Sequence, residues 1–182
     1  MKKRILLVDD DPQIRESLYK VLRSEGYEVV LAANAQESVD KFDPERTDLL
    51  LLDLNLPGQS GWDIFERMSF LNPLLPIIII TGRPFQFEMA AAAGVGALIE
   101  KPLDIPYLLR SITELLAEPP ETRIERLAGM HDYLRFSLPL DETIDQRPMR
   151  PDSIEGRPRS PVLVEPKQEK FTRRKHYGRR AC

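Results

Sequence analysis

The sequence predicts an α/β domain, a doubly wound parallel sheet of five strands with five helices covering both faces, followed by a tail of different character. Three observations predict it. Short apolar runs such as Leu49-Leu50-Leu51-Leu52 and Ile77-Ile78-Ile79-Ile80 show no polar alternation, as strands buried on both faces require. Segments of helical periodicity alternate with these runs, and right-handed crossovers then place the strands parallel. Composition shifts near Glu118-Pro119-Pro120. Residues 1–118 hold 12 Lys+Arg and 19 Asp+Glu, net −7, whereas residues 119–182 hold 14 and 10, net +4, for the whole-chain charge of −3. Half of the 16 prolines lie beyond residue 118, so a boundary is expected there.

Taken in order, Arg4 to Val8 is the first strand, and it ends at Asp9-Asp10-Asp11-Pro12. Asp11 is placed to cap a helix with Pro12 in its first turn; Ile14, Leu18, Val21 and Leu22 form its inner face and Gly26 stops it. Glu28 to Ala32 is the second strand. Asn34 suits the cap of a helix with Val39 and Phe42 inward, closed before Pro44. The third strand is the leucine run ending at Asp53, followed by a Pro57-Gly58 turn. Ser60 to Leu71 is a helix with Trp62, Ile64, Phe65 and Met68. The fourth strand runs through the isoleucines to Thr81-Gly82. Pro84 to Ala93 is a short Ala-rich helix closed by Gly94. The fifth strand, Ala97 to Glu100, leads into Lys101-Pro102, and Asp104 to Glu118 is the last helix, with Ile105, Leu108, Leu109, Ile112, Leu115 and Leu116 as its apolar face.

Composition excludes several classes. No apolar run reaches membrane-spanning length, and the apolar stretch after Lys2-Lys3-Arg4 stops after four residues at three aspartates, unlike a signal peptide. The one cysteine, Cys182, leaves no internal disulfide, which fits a reducing, cytoplasmic setting. His131 and His176 lie far apart and lack metal-ligand companions.

In such a sheet the carboxyl ends of the strands meet on one rim, where ligands bind. That rim collects Asp9 and Asp10 after the first strand, Asp53 after the third, Thr81 after the fourth and Lys101 after the fifth. Crowded carboxylates repel one another, and a bound cation relieves the repulsion. Oxygen-only ligands favour a hard ion, and a site with few protein ligands suits Mg²⁺. Lys101 and Thr81 add a positive charge and a hydroxyl donor, so an anion is expected beside the metal. Metal, carboxylate nucleophile and lysine together equip a site for phosphoryl transfer onto an aspartate.

Four separated motifs, Ile5-Leu6-Leu7-Val8-Asp9-Asp10, Leu52 through Gly61, Thr81-Gly82 and Glu100-Lys101-Pro102, resemble the CheY-like receiver domain of two-component response regulators, in the right order over residues 1–118. The resemblance implies a flavodoxin-like sheet of order 2-1-3-4-5. It implies Asp53 as phosphoacceptor, Asp10, Asp53 and the Asn55 carbonyl as Mg²⁺ ligands with Asp9 acting mostly through water, and Thr81 and Lys101 on the phosphoryl oxygens. It implies a cis bond at Lys101-Pro102. The donor would be a phosphohistidine on a sensor histidine kinase or phosphotransfer protein, and phosphorylation would switch contacts to a downstream protein or drive dimerisation. The chain departs from the family at Leu98, where many receivers carry an aromatic that turns inward as the Thr moves. Arg83, two residues after Thr81, stands near the path of attacking water and so could set the phosphate's lifetime.

An output domain is not legible. Residues 119–137 read as a linker in which Glu121 to Phe136 fits a short helix with Ile124, Leu127, Met130 or His131, and Leu134 on one face. Residues 138–182 read as disordered, rich first in proline and then in basic residues. The stretch 167–180 places seven Lys and Arg residues around Phe171 and Tyr177, a composition suited to nucleic acid or an anionic membrane, although a solvated tail is the simpler reading. The expected function is therefore a phosphorylation-controlled switch without an enzymatic output of its own. The alternative is a transcription regulator that binds DNA through this tail. A haloacid-dehalogenase-like phosphatase, suggested by Asp9-x-Asp11, lacks the Thr or Val that should follow and the later acidic pair.

Overall fold

The computed structural model describes residues 2–58, 60–83 and 86–128, together with the backbone of residues 135–137. Five strands follow the sequence pattern: β1 (Arg4–Val8), β2 (Glu28–Ala32), β3 (Leu49–Asp53), β4 (Ile77–Thr81) and β5 (Ala97–Glu100). They pair in parallel in the order β2-β1-β3-β4-β5. The central strands β3 and β4 are buried at every residue, which is why their sequences read as unbroken apolar runs.

Helices α1 (Pro12–Ser24), α2 (Ala35–Lys41), α3 (Gly61–Leu71), α4 (Phe87–Ala92) and α5 (Ile105–Ala117) cover the sheet. Alternate residues of each strand feed two cores. Ile5, Leu7, Leu49, Leu51, Ile78, Ile80 and Ile99 pack with Leu18 and Leu22 of α1 and Leu108, Ile112 and Leu115 of α5. Leu6, Val8, Leu50, Leu52, Ile77, Ile79 and Leu98 pack with Ile64, Phe65 and Met68 of α3 and Ala90 of α4. Helix starts follow local chemistry. Asp11 accepts from the N–H groups of Gln13 and Ile14, Asn34 from Glu37, Ser60 from Trp62 and Asp104 from Tyr107. Where that chemistry is missing the expectation fails: α4 begins at Phe87 rather than Pro84, and Gln86 gives it no side-chain cap.

The folded region does not stop at Glu118. A helix α6 (Pro120–Leu127) follows, and a strand β6 (Arg135–Ser137) pairs in parallel with β5, Ala97 to Ile99 facing Arg135 to Ser137. The expected helix through Phe136 is thus half as long, with a strand at its far end. Of the expected apolar stripe, Ile124 and Leu127 stay about half exposed, at 53% and 44%, with Leu127 lying against Gly94; Met130, His131 and Leu134 lie outside the described residues. Arg126 is buried instead. Its guanidinium donates to the carbonyl of Gly94 and to Glu118, 2.7 Å away, while Arg123 reaches the carbonyls of Leu74 and Leu115. Three of these charge-assisted contacts satisfy main-chain carbonyls, and the fourth pairs Arg126 with the Glu118 carboxylate.

Two outcomes follow from this cluster. Arg126→Ala leaves the buried Glu118 with Arg123 alone and should lower the unfolding free energy by about 3 kcal/mol in urea titrations. Burial pushes the Glu118 carboxyl up, but Arg126 and Arg123 outweigh it and hold its pKa below the ordinary value. A depressed pKa makes the stabilisation complete above the ordinary glutamate value of about 4.3 and erodes it as pH falls through the lower folded value. The melting temperature of wild type should therefore drop below about pH 4 more steeply than that of Glu118→Gln.

Candidate functional site

The three carboxylates of the rim come together because β1 and β3 are neighbours in register, Val8 beside Leu52, and both turn polar at the next residue. Asp9 is 1% exposed and Asp53 2%, while Asp10 faces solvent. Carboxylate oxygens of all three lie within 4.8 Å of one another. Each buried carboxylate is oriented on both sides. Oδ1 of Asp9 accepts the N–H of Asp11 at 2.8 Å, and Oδ1 of Asp53 accepts the N–H of Asn55 at 2.8 Å. The remaining oxygens converge on one ammonium, with Lys101 Nζ 2.6 Å from Asp53 Oδ2 and 3.0 Å from Asp9 Oδ2.

Lys101 reaches this position from the end of β5. Its N–H donates to the Thr81 carbonyl at 2.8 Å, and the Lys101–Pro102 peptide is cis, as expected. Thr81 closes β4 with no exposed surface, and its Oγ1 accepts the N–H of Arg83 at 2.9 Å. Arg83 itself is exposed, two residues past the hydroxyl. Leu98 is fully buried in the core on the α3 and α4 side. The basic stretch 167–180 lies outside the described residues.

Electrostatics here are unequal. Burial is the largest influence on Asp9 and pushes its pKa up; the hydrogen bonds from Lys101 and Asp11 pull it down without cancelling the shift, and the charge of Asp53 adds to it. Burial pulls Lys101 down, but its bonds to Asp53 and Asp9 outweigh this and hold it above the ordinary lysine value. One ammonium against three carboxylates leaves excess negative charge, most costly where burial is greatest. The donors are carboxylate oxygens only, one exposed and two buried. That set fits a hard divalent cation with open coordination positions, and Asn55 follows Asp53 by two residues.

Two contacts were not legible in the sequence. Arg15 Nη1 donates to the Asp9 carbonyl at 2.6 Å, bracing the loop that carries Asp9 and Asp10. The only signal available was an arginine one turn into α1. Trp62 Nε1 donates to Gln86 Oε1 at 3.2 Å, joining α3 to the segment after Thr81.

Comparison with known proteins agrees with this geometry. A family model, the response regulator receiver domain, matches residues 5–113. The response regulator MprA of Mycobacterium bovis (strain BCG / Pasteur 1173P2) is 35% identical over 148 residues, 80% of this chain and 61% of MprA. The chain therefore spans about three fifths of that curated relative. Sporulation initiation phosphotransferase F of Bacillus subtilis is 35% identical over 118 residues, 64% of this chain and 95% of that protein. The solved structure of response regulator protein TrrA from Thermotoga maritima, in complex with Mg(2+)-BeF, is 32% identical with a TM-score of 0.57, covering 62% of this chain and 98% of that one. Among the described residues no helix is long and apolar enough to cross a membrane.

Proposed function

The chain belongs to the receiver domain family of two-component response regulators, and from that premise we propose that Asp53 accepts a phosphoryl group from a phosphohistidine on a partner histidine kinase or phosphotransfer protein. The observation that carries the proposal is the buried Asp53 carboxylate, with one oxygen aimed by a backbone N–H and the other against Lys101. In the transfer a carboxylate oxygen forms the new P–O bond as the P–N bond to the donor imidazole breaks. The imidazole leaves with the bonding electron pair and takes a proton from water.

Asp9, Asp10, Asp53 and the Asn55 carbonyl would hold Mg²⁺, which when bound offsets the charge of the incoming phosphoryl oxygens. Lys101 exchanges its bonds to Asp53 and Asp9 for phosphoryl oxygens. Thr81 accepts the Arg83 N–H through a lone pair and donates its hydroxyl hydrogen to a phosphoryl oxygen. Charge-assisted hydrogen bonds contribute about 1.5–3 kcal/mol each, so two supply about 3–6 kcal/mol. Driving a two-state equilibrium from 1:99 to 99:1 takes about 5.5 kcal/mol, which only the upper end of that gross gain reaches, with both bonds formed in one state alone and before the lost Lys101 bonds are subtracted. The product is a switch of protein contacts in the cytoplasm, with no separate reaction catalysed.

Intact mass measures this directly. Incubation with acetyl phosphate and Mg²⁺ should add one phosphoryl group, and a chelator should suppress the gain. An unchanged mass with donor and metal present would overturn the reading.

A further inference from the structure

We propose that Arg15 is a positioning residue for the divalent cation: its guanidinium, by holding the Asp9 carbonyl, fixes the peptide that leads into Asp10 and so sets where the Asp10 carboxylate stands. This rests on the Mg²⁺ reading above and adds to it a residue outside the ligand set. Asp10 is the carboxylate that needs placing. Asp9 and Asp53 are buried, and each is aimed by a main-chain N–H and by Lys101. Asp10 is exposed, and among the described residues its carboxylate has no counterpart to those bonds.

Its position must therefore come from the main chain, and both peptides that flank it are pinned. The Asp9–Asp10 peptide is held at its carbonyl, which accepts from Arg15 Nη1 at 2.6 Å. The Asp10–Asp11 peptide is held at its N–H, which donates to Asp9 Oδ1 at 2.8 Å. The second bond comes from a residue of the site itself; the first comes from a helix packed into the core. Arg15 lies in the first turn of α1, its own N–H bonded to the Asp11 carbonyl at 3.0 Å, between Ile14 and Leu18, which both pack against the sheet. Its side chain is half-buried, and none of the ion pairs among the described residues includes it. The charge-assisted bond to the Asp9 carbonyl is thus what gives the guanidinium its direction.

Two effects of Arg15 on a cation have opposite signs, which makes the role decidable. The guanidinium charge repels a cation, so losing the charge alone should tighten Mg²⁺ binding. The bond acts the other way. Without it the Asp9–Asp10 peptide is free to rotate, and the ordering of Asp10 falls on the binding step. Removing a group that holds a metal ligand in place typically costs about 10–100-fold in affinity. With the charge effect opposing, the net loss should sit at the lower end, about tenfold. An arginine that served only to stabilise α1 would leave the affinity of the folded protein where the charge effect puts it, at or above that of wild type.

The test is a Mg²⁺ titration of the full, unphosphorylated chain, followed through the amide resonances of Asp10, Asp53 and Asn55, with urea denaturation of the same samples to establish that each is folded. Arg15→Met keeps an apolar stem on α1 and removes the donor and the charge. Its affinity should be about tenfold weaker than that of wild type. Arg15→Lys keeps the charge and a donor, and should recover part of that loss although its charge opposes the cation. An Arg15→Met affinity equal to or tighter than wild type overturns the proposal, and so does an Arg15→Lys affinity no tighter than that of Arg15→Met. Wild type that binds no Mg²⁺ would remove the metal reading, and the role of Arg15 falls with it. Wild type that binds Mg²⁺ while Arg15→Met matches it removes the role of Arg15 alone.

Discussion

Asp53→Asn is expected to take up no phosphoryl group while folding as wild type does. The amide matches the carboxylate in shape but has no oxygen nucleophilic enough to attack phosphorus. The surrounding donors make the variant informative. In wild type, Asp53 receives the Asn55 N–H on one oxygen and Lys101 on the other. Asparagine keeps one acceptor, which suits the Asn55 N–H, and turns its own N–H₂ toward Lys101. Lys101 then relies on Asp9, 3.0 Å away. Losing the Asp53 charge also removes one influence that pushes Asp9 upward. The lost ion pair and the relieved repulsion oppose each other, so stability should change by only about 1 kcal/mol, the scale of one hydrogen bond. Intact mass and urea denaturation on the same sample separate the effects. Mass gain equal to wild type would place the phosphoryl group on another residue.

Gly61→Ala should be strongly destabilising for so small a change. A Cβ at Gly61 would meet the Cα of Leu54 at 2.5 Å and the carbonyl oxygen of Asp53 at 2.8 Å. Both are main-chain atoms, so no rotamer change makes room. The first residue of α3 rests directly on the chain that leaves β3, which is why a glycine stands there. Relief must come from moving the helix or the Asp53–Leu54 peptide. The cost should reach about 3 kcal/mol, the upper part of the overpacking range. Phosphorylation should slow as well, because the displaced peptide carries the acceptor. Gly82→Ala is the control: its Cβ would meet only the Asn55 side-chain nitrogen, at 3.3 Å, which can yield. A Gly61→Ala protein within about 1 kcal/mol of wild type in urea would contradict the close approach.

Most of the fold was legible because its signals are local. Runs such as Leu49 to Leu52 are apolar on both faces, and Asp11, Asn34, Ser60 and Asp104 sit where helix starts need acceptors. The site was legible for a related reason. Strand ends in a parallel sheet share one rim, so Asp9, Asp53, Thr81 and Lys101 needed only the strand assignment to be brought together. What failed was set by distant partners. Periodicity pointed to Ile124 and Leu127 as the inner face of α6, but the buried residue is Arg126, because the carbonyl of Gly94 and the Glu118 carboxylate await it. Arg135-Phe136-Ser137 has no strand pattern of its own, and its pairing depends on the open side of β5. Arg15 was invisible for the same reason, since its acceptor is a main-chain carbonyl.

The sixth strand also bears on how the protein behaves in a crowded solution. Without it, Ala97-Leu98-Ile99 would present an apolar row of unpaired main-chain groups, a template onto which a foreign strand could add. Among the described residues the sheet ends on one side in β6 and on the other in β2, whose Glu28 is paired with Arg4. Covered or charged edges are poor seeds for intermolecular β-structure. The extension past Glu118 thus guards against aggregation for as long as the edge stays closed.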